Sequence, residues 1–321
     1  MGDREPAFMA RGEGELVHCS LCPHRCEIPA DETGVCGVRG NRGGEPALPY
    51  YAEVAQIEAI PMEQFPLYHF YPGTHVMSVS LIGATLQASR LARWSPEGAR
   101  ARNIISISAD EAVDNAAESR AGCIGLSGGD AALHLEYLDA VAAPAREHGF
   151  TVAARTAGFL EKPTARALSE AADAVVLELP FMNESRFERE QSVATAPFFE
   201  TMRVLSAADT HTELLLRPDE RSAAELDAAR RLFSRVADVD AEIPCHIHPT
   251  DGDARASERL AEMARQYLDF VYLAGGTADT HCPVCERLLV NRHASPPRSP
   301  GLRRGRCKKC GRALPGRFPN A

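Results

Sequence analysis

The chain has 321 residues, 45% of them hydrophobic, which is enough apolar material for one large domain or a domain with attached modules. The formal net charge of −9 is uneven: residues 287–321 carry ten Lys and Arg and no Asp or Glu, leaving −19 for residues 1–286. An acidic body is expected to repel nucleic acid. The start of the chain lacks a signal-peptide core and no stretch reaches the ~18 apolar residues of a membrane span, so a cytoplasmic protein with no membrane partner is expected.

Residues 1–18 read as a frayed lead-in. A first cysteine module follows: Cys19, Cys22, Cys26 and Cys36 form C-x2-C-x3-C-x9-C and end in a Gly- and Arg-rich turn. Without an export signal these are metal ligands rather than disulfides, and four thiolates suit zinc or an iron–sulfur cluster. His18 and His24 stand close enough in sequence to replace a cysteine. Residues 45–75 read as irregular, since Pro46, Pro49, Pro61, Pro66 and Pro72 break any long helix.

From residue 76 short apolar runs alternate with helical stretches. The runs are 76–83, 123–129, 151–158, 174–180, 212–218, 243–249 and 270–276. Ser108 and Glu111 have the spacing of a capping box that opens one helix; further helices are predicted within 134–149, 164–172 and 222–236. Repeated strand–helix units imply a parallel sheet. Seven such units without a dinucleotide fingerprint suit an α/β fold of the partial (β/α) barrel type, with chemistry at the C-terminal strand ends. Cys123 and Cys245 lie inside strand runs and read as ordinary buried residues.

The last module is Cys282, Cys285, Cys307 and Cys310, C-x2-C-x21-C-x2-C, around a loop at 294–306. Two such knuckles form the usual four-cysteine zinc pattern, here with a spacer slightly longer than the typical ~15–20 residues. The basic tail balances metal-bound thiolates; as a second reading it attracts an acidic partner, nucleic acid included. The expected division is 1–75 (N-terminal cysteine module), 76–280 (barrel) and 281–321 (zinc-ribbon-like module).

Several segments together carry a resemblance: "CSLCPHRCEIPADETGVCGVRGN", "PLYHFYPGTHVMSVSLIG", "HCPVCERLLVNR" and "CKKCGRALPGRF". They resemble the radical SAM proteins of the AmmeMemoRadiSam system, relatives of the pyruvate formate-lyase activating enzymes. The resemblance covers nearly the whole chain. It implies a partial (β/α) barrel binding a 4Fe–4S cluster and S-adenosylmethionine (SAM), with the cluster held by C-x3-C-x2-C in the loop after the first barrel strand.

That loop is "GATLQASRLARW", residues 83–94. The three ligand positions fall on Ala84, Ala88 and Leu91, and Trp94 stands where the family often has a Trp. Hydrocarbon side chains offer iron no lone pair, and no His or Cys lies between His75 and Cys123 to substitute. The expectation is a degenerate member with no cluster at 84–91. Ser127, Gly128, Gly129 and Asp130 resemble the superfamily's Gly-Gly-Glu-type turn, which meets the amino group of SAM; a plain strand-to-helix turn with Asp130 as N-cap is the competing reading. Ala157 stands where the family pattern has Asn, and Glu178 and Pro180 stand in its Asp-x-Lys strand. Strand alternation puts His246 and His248 on one face, with Arg155, Glu178 and Arg217 at comparable strand ends. Glu178, His246 and His248 are thus candidate catalytic groups, and Arg155 and Arg217 candidate anion clamps.

Three functions compete. The first is a non-radical binding or partner subunit, a pseudoenzyme pairing with a cluster-bearing paralogue or another protein. The second is an enzyme with non-radical chemistry on SAM or another small anion. The third is a radical SAM enzyme whose cluster is held by the N-terminal cysteines.

Overall fold

The computed structural model describes residues 5–86, 94, 96, 103–218, 226–248, 254–273 and 278–318. Eight strands make its main sheet: β1 (Gln56–Pro61), β2 (His75–Leu81), β3 (Cys123–Gly128), β4 (Thr151–Thr156), β5 (Ala174–Leu179), β6 (His211–Leu216), β7 (Cys245–Ile247) and β8 (Val271–Leu273). Their hydrogen-bonded order is their chain order. Helices fill the connections: α1 (Ala109–Glu118) after β2, α2 (Leu135–Glu147) after β3 and α3 (Lys162–Ala171) after β4. Then come α4 (Glu184–Gln191) and α5 (Ala196–Ser206) after β5, α6 (Leu226–Asp240) after β6 and α7 (Ala254–Ala264) after β7. Pairing is parallel between β3 and β4, β6 and β7, and β7 and β8. Strands in chain order joined by helices from β2 onward, with β1 and β8 at the edges of the described sheet, give the topology of an open (β/α) barrel, as expected.

Local signals explain the elements. Every residue of β3 and β5 is buried, as in parallel strands covered on both faces. The capping box that opens α1 is present: Glu111 N–H donates to Ser108 Oγ at 3.2 Å and Ser108 N–H to Glu111 Oε2 at 2.7 Å. Pro163 sits in the first turn of α3, where its missing N–H is harmless. Among the described residues no helix is long and apolar enough to cross a membrane.

The chain divides into two compact units. The first comprises Met1–Ala59, Met77–Val175 and Ala196–Thr210. Its lead-in is more ordered than the sequence suggests. Met9–Arg11 pairs antiparallel with Val17–Cys19, which pairs with Glu27–Ile28. A buried ion pair anchors this module: Arg39 donates to both oxygens of Glu136, at 3.1 and 2.8 Å, and to the carbonyls of Leu133 and Ala7.

The second unit comprises Ile60–Val76, Val176–Thr195 and His211–Ala321. Its C-terminal cysteine module shares a core with the barrel segments of the same unit, including Tyr68, Phe270, Tyr272, Leu289, Val290 and Leu302. Residues 45–75, expected to be irregular, contain β1. Its prolines terminate rather than interrupt it, with Pro61 as its last residue.

Candidate functional site

In the first unit the residues after β2 and β3 are locked to one another. Gly83 has φ +101°, donates its N–H to the Trp94 carbonyl at 2.7 Å, and would place a Cβ 2.7 Å from the Val38 side chain. Ala84 is buried. Ala88 and Leu91 lie outside the described residues. Ser127 Oγ is 2.8 Å from Ser78 Oγ. A Cβ on Gly128 would meet Ser80 at 2.8 Å, and one on Gly129 would meet the Gly83 carbonyl at 2.5 Å. Close approach of two strand ends therefore demands both glycines. The amides of Gly129 and Asp130 donate to the carbonyls of Leu81 and Gly83, both at 2.9 Å.

Asp130 is fully buried and caps the short helical turn Ala131–His134. Its carboxylate accepts from Thr85 Oγ1 at 2.9 Å, Ala132 N–H at 3.2 Å and Ala157 N–H at 3.3 Å, and also from Thr156. Burial pushes its carboxyl above the ordinary carboxylate value, partly offset by the bonds from Thr156 and Thr85. Ser127, Gly128, Gly129 and Asp130 thus bond to and pack against β2 and the residues just after it.

The N-terminal cysteine module packs over these strand ends, a placement the sequence alone does not reveal. A Cβ on Gly83 would lie 3.2 Å from the Cys36 carbonyl. Glu161, just beyond β4, donates its N–H to Leu21 O at 3.1 Å and accepts from Arg25 Nε at 2.8 Å. The His24 ring meets Phe159 edge-on at 5.3 Å. Cys19, Cys22 and Cys36 are buried and Cys26 is partly so. The backbone at His24 favours thiolate at Cys22, and that at Val38 and Arg39 favours it at Cys36, each against the larger cost of burial. Burial, with the neighbouring Cys36, Cys19 and Cys26, pushes the Cys22 thiol up to about 12. His24 Nδ1 lies 3.6 Å from Cys22 Sγ, whereas His18 faces Glu27 at 3.8 Å.

In the second unit three expected residues do meet. Arg217 Nε lies 3.5 Å from Glu178 Oε1, and its guanidinium donates to His248 Nδ1 at 3.2 Å. His246 belongs to a different cluster, centred on Glu213. This carboxylate is completely buried and accepts from His69 N–H at 2.7 Å, His211 Nε2 at 2.9 Å and His246 Nε2 at 2.6 Å. Burial opposes its ionisation, but the bonds from His211 and His246 outweigh burial and hold it well below the ordinary value. The Nδ1 of His246 is buried and has no hydrogen-bond partner among the described residues. Arg155 belongs to the first unit, on β4.

A second chain of donors runs beside it. His69 Nδ1 donates to the Pro315 carbonyl at 2.9 Å, so its Nε2 accepts from Tyr272 OH at 2.6 Å. Tyr272 then accepts from Thr280 at 2.8 Å, and Thr280 from Arg292 at 2.8 Å. Burial lowers the His69 pKa to about 3 and keeps it neutral. Glu213 had a sequence signal: a lone acid in "TELLLRP" on the same strand face as Arg217. His69, Tyr272 and Arg292 had none, because their roles depend on long-range contacts.

The C-terminal sulfurs converge. Those of Cys282, Cys285, Cys307 and Cys310 all lie within 4.8 Å of one another, an arrangement that can hold a metal ion. Cys282 and Cys310 are 3.5 Å apart, Cys285 and Cys307 3.6 Å. Cys123 and Cys245 are buried within strands, and burial raises both thiols.

No family model matches the chain. It is 26% identical to the uncharacterized protein MJ0808 of Methanocaldococcus jannaschii, over 97% of this chain and 98% of that protein. A domain of a pyruvate-formate lyase-activating enzyme from Bacteroides vulgatus is similar with a TM-score of 0.43 and 16% identity, over 48% of this chain and 99% of that one. A radical SAM methyltransferase from Sphaerobacter thermophilus is similar with a TM-score of 0.44 and 14% identity, over 84% of this chain and 78% of that one. QueE from Escherichia coli is similar with a TM-score of 0.40 and 10% identity, over 70% of this chain and 94% of that one.

Proposed function

We propose that this chain is a radical SAM-like protein that does not run the radical reaction and serves as a binding or partner subunit, pairing with a cluster-bearing paralogue or another protein. The observation that carries the reading is Ala84. It is buried at the first position after Gly83, where the resemblance requires a thiolate, and it presents a methyl group. A cluster iron needs sulfur or imidazole, so the residues at this loop do not fit the group, and no step is derived through it. The turn at Ser127–Asp130 supports the same reading, since its carboxylate and two of its amides bind within the protein. The C-terminal quartet holds zinc in this account: four thiolates about 2.3 Å from one ion stand roughly 3.8 Å apart, close to the 3.5 and 3.6 Å separations found.

The test is anaerobic incubation of the full chain with SAM and dithionite. The expected result is no 5′-deoxyadenosine above the protein-free control; its appearance overturns the reading. A second reading rests on the bare Nδ1 of His246, oriented by Glu213, as a base for non-radical chemistry on SAM or another small anion, with Arg217 as clamp. SAM consumed in the same incubation without 5′-deoxyadenosine selects that reading.

A further inference from the structure

We propose that Cys19, Cys22, Cys26 and Cys36 hold a polynuclear iron–sulfur cluster with all its cysteine ligands supplied by this module, which packs against Gly83 at the end of β2. This goes beyond the functional reading above and stands on separate observations.

The first is the state of the sulfurs. Three of the four are buried, and the backbone at His24, Val38 and Arg39 offsets part of the cost of holding Cys22 and Cys36 as thiolate. Hydrogen bonds to sulfur stabilise metal-bound thiolate and tune clusters. Arg39 supplies a buried positive charge that acts on both Cys19 and Cys36. These groups offset part of what burial costs a thiolate here, and a bound metal supplies the rest.

The second is spacing. Among the described residues, the groups of three or more ligand atoms within 4.8 Å of one another comprise the C-terminal quartet alone. The N-terminal sulfurs are near enough for Cys19, Cys26 and Cys36 to act on Cys22, yet no three of them meet that limit. A single ion draws four thiolates onto one small tetrahedron; a cluster binds each thiolate at a different iron and spreads them. The two quartets of this chain therefore suit different metals.

The third is position. The Cys36 carbonyl and the Val38 side chain abut Gly83, and His24 and Arg25 abut the residues after β4. The module that carries these four cysteines thus packs on the strand ends beside which the loop's own thiolates are absent. Four protein thiolates on four irons leave none open to a small-molecule ligand, so this cluster serves structure or electron transfer rather than SAM cleavage.

The test is iron, zinc and acid-labile sulfide analysis of the full chain after anaerobic reconstitution with ferrous iron and sulfide. About four iron and four sulfide per chain are expected beside about one zinc. Cys19→Ser/Cys36→Ser abolishes iron and sulfide and keeps the zinc; Cys282→Ser/Cys285→Ser does the reverse. Should the first pair fail to fold, Cys26→Ser, at the most exposed of the four, cuts iron by at least half with the zinc unchanged. A reconstituted wild type with about two zinc and no iron, or with no iron at all, overturns the proposal. A colourless protein that makes no 5′-deoxyadenosine removes the cluster and leaves the functional reading standing. A brown one that makes it removes the functional reading.

Discussion

Replacing Glu213 by alanine destabilises the protein by more than about 3 kcal/mol, read as a lower urea midpoint at unchanged slope. The carboxylate is the common acceptor for His69 N–H, His211 and His246, and none of these donors is replaced by water at a site with no exposure. Each stranded donor costs about 1–3 kcal/mol, which sets the bound. Glu213→Gln recovers part of the loss. Its carbonyl oxygen still accepts from His69 and His211, and His246 can change tautomer to accept from the new amide. The pH profile carries a second signature. Glu213 has a folded pKa well below 4.5, so its contribution is full above that value and is lost as pH falls further. His69 titrates near 6.5 when unfolded and at about 3 when folded, so protons favour the unfolded chain and stability declines from pH 6.5 downward. In Glu213→Ala the component below pH 4.5 disappears, whereas a profile like that of the wild type contradicts the assignment.

Glu136→Ala produces a comparable loss in the first unit, about 3–5 kcal/mol, because it leaves the Arg39 guanidinium buried without its counter-charge. Arg39 and Glu136 side chains are 1% and 5% exposed, so solvent cannot screen the remaining charge. The variant also frees Ala7 N–H, which donates to Glu136 at 2.7 Å. The double variant Arg39→Met/Glu136→Met is more stable than Glu136→Ala, since removing both charges removes the desolvation penalty together with the attraction. Equal stability of single and double variants in thermal or urea unfolding refutes this account of the pair. In the single variant the N-terminal module loosens first, which limited proteolysis near residues 5–40 detects.

Much of the barrel was readable from sequence because its signals are local. The apolar runs at 123–129, 151–158 and 174–180 enclose β3, β4 and β5, and Ser108 with Glu111 marks the start of α1. β1 escaped because "QIEAIP" is only partly buried and lies among prolines that suggest a loop. The lead-in escaped because its order comes from pairing with Val17–Cys19, which no local pattern announces. At the site, strand ends and alternation group Arg155, Glu178, Arg217, His246 and His248; of these Arg217 contacts Glu178 and His248. His246 was grouped with them, but Glu213 holds it, and alternation alone cannot choose among partners on one face. Gly128 and Gly129 resembled a ligand-binding turn; their geometry answers to contact with Ser80 and Gly83.

Electron paramagnetic resonance of the dithionite-reduced, reconstituted protein with and without SAM tests most directly whether any iron in this chain is open to the cofactor. The account predicts one cluster signal, identical in both samples and absent from Cys19→Ser/Cys36→Ser. A signal that SAM shifts or splits contradicts it.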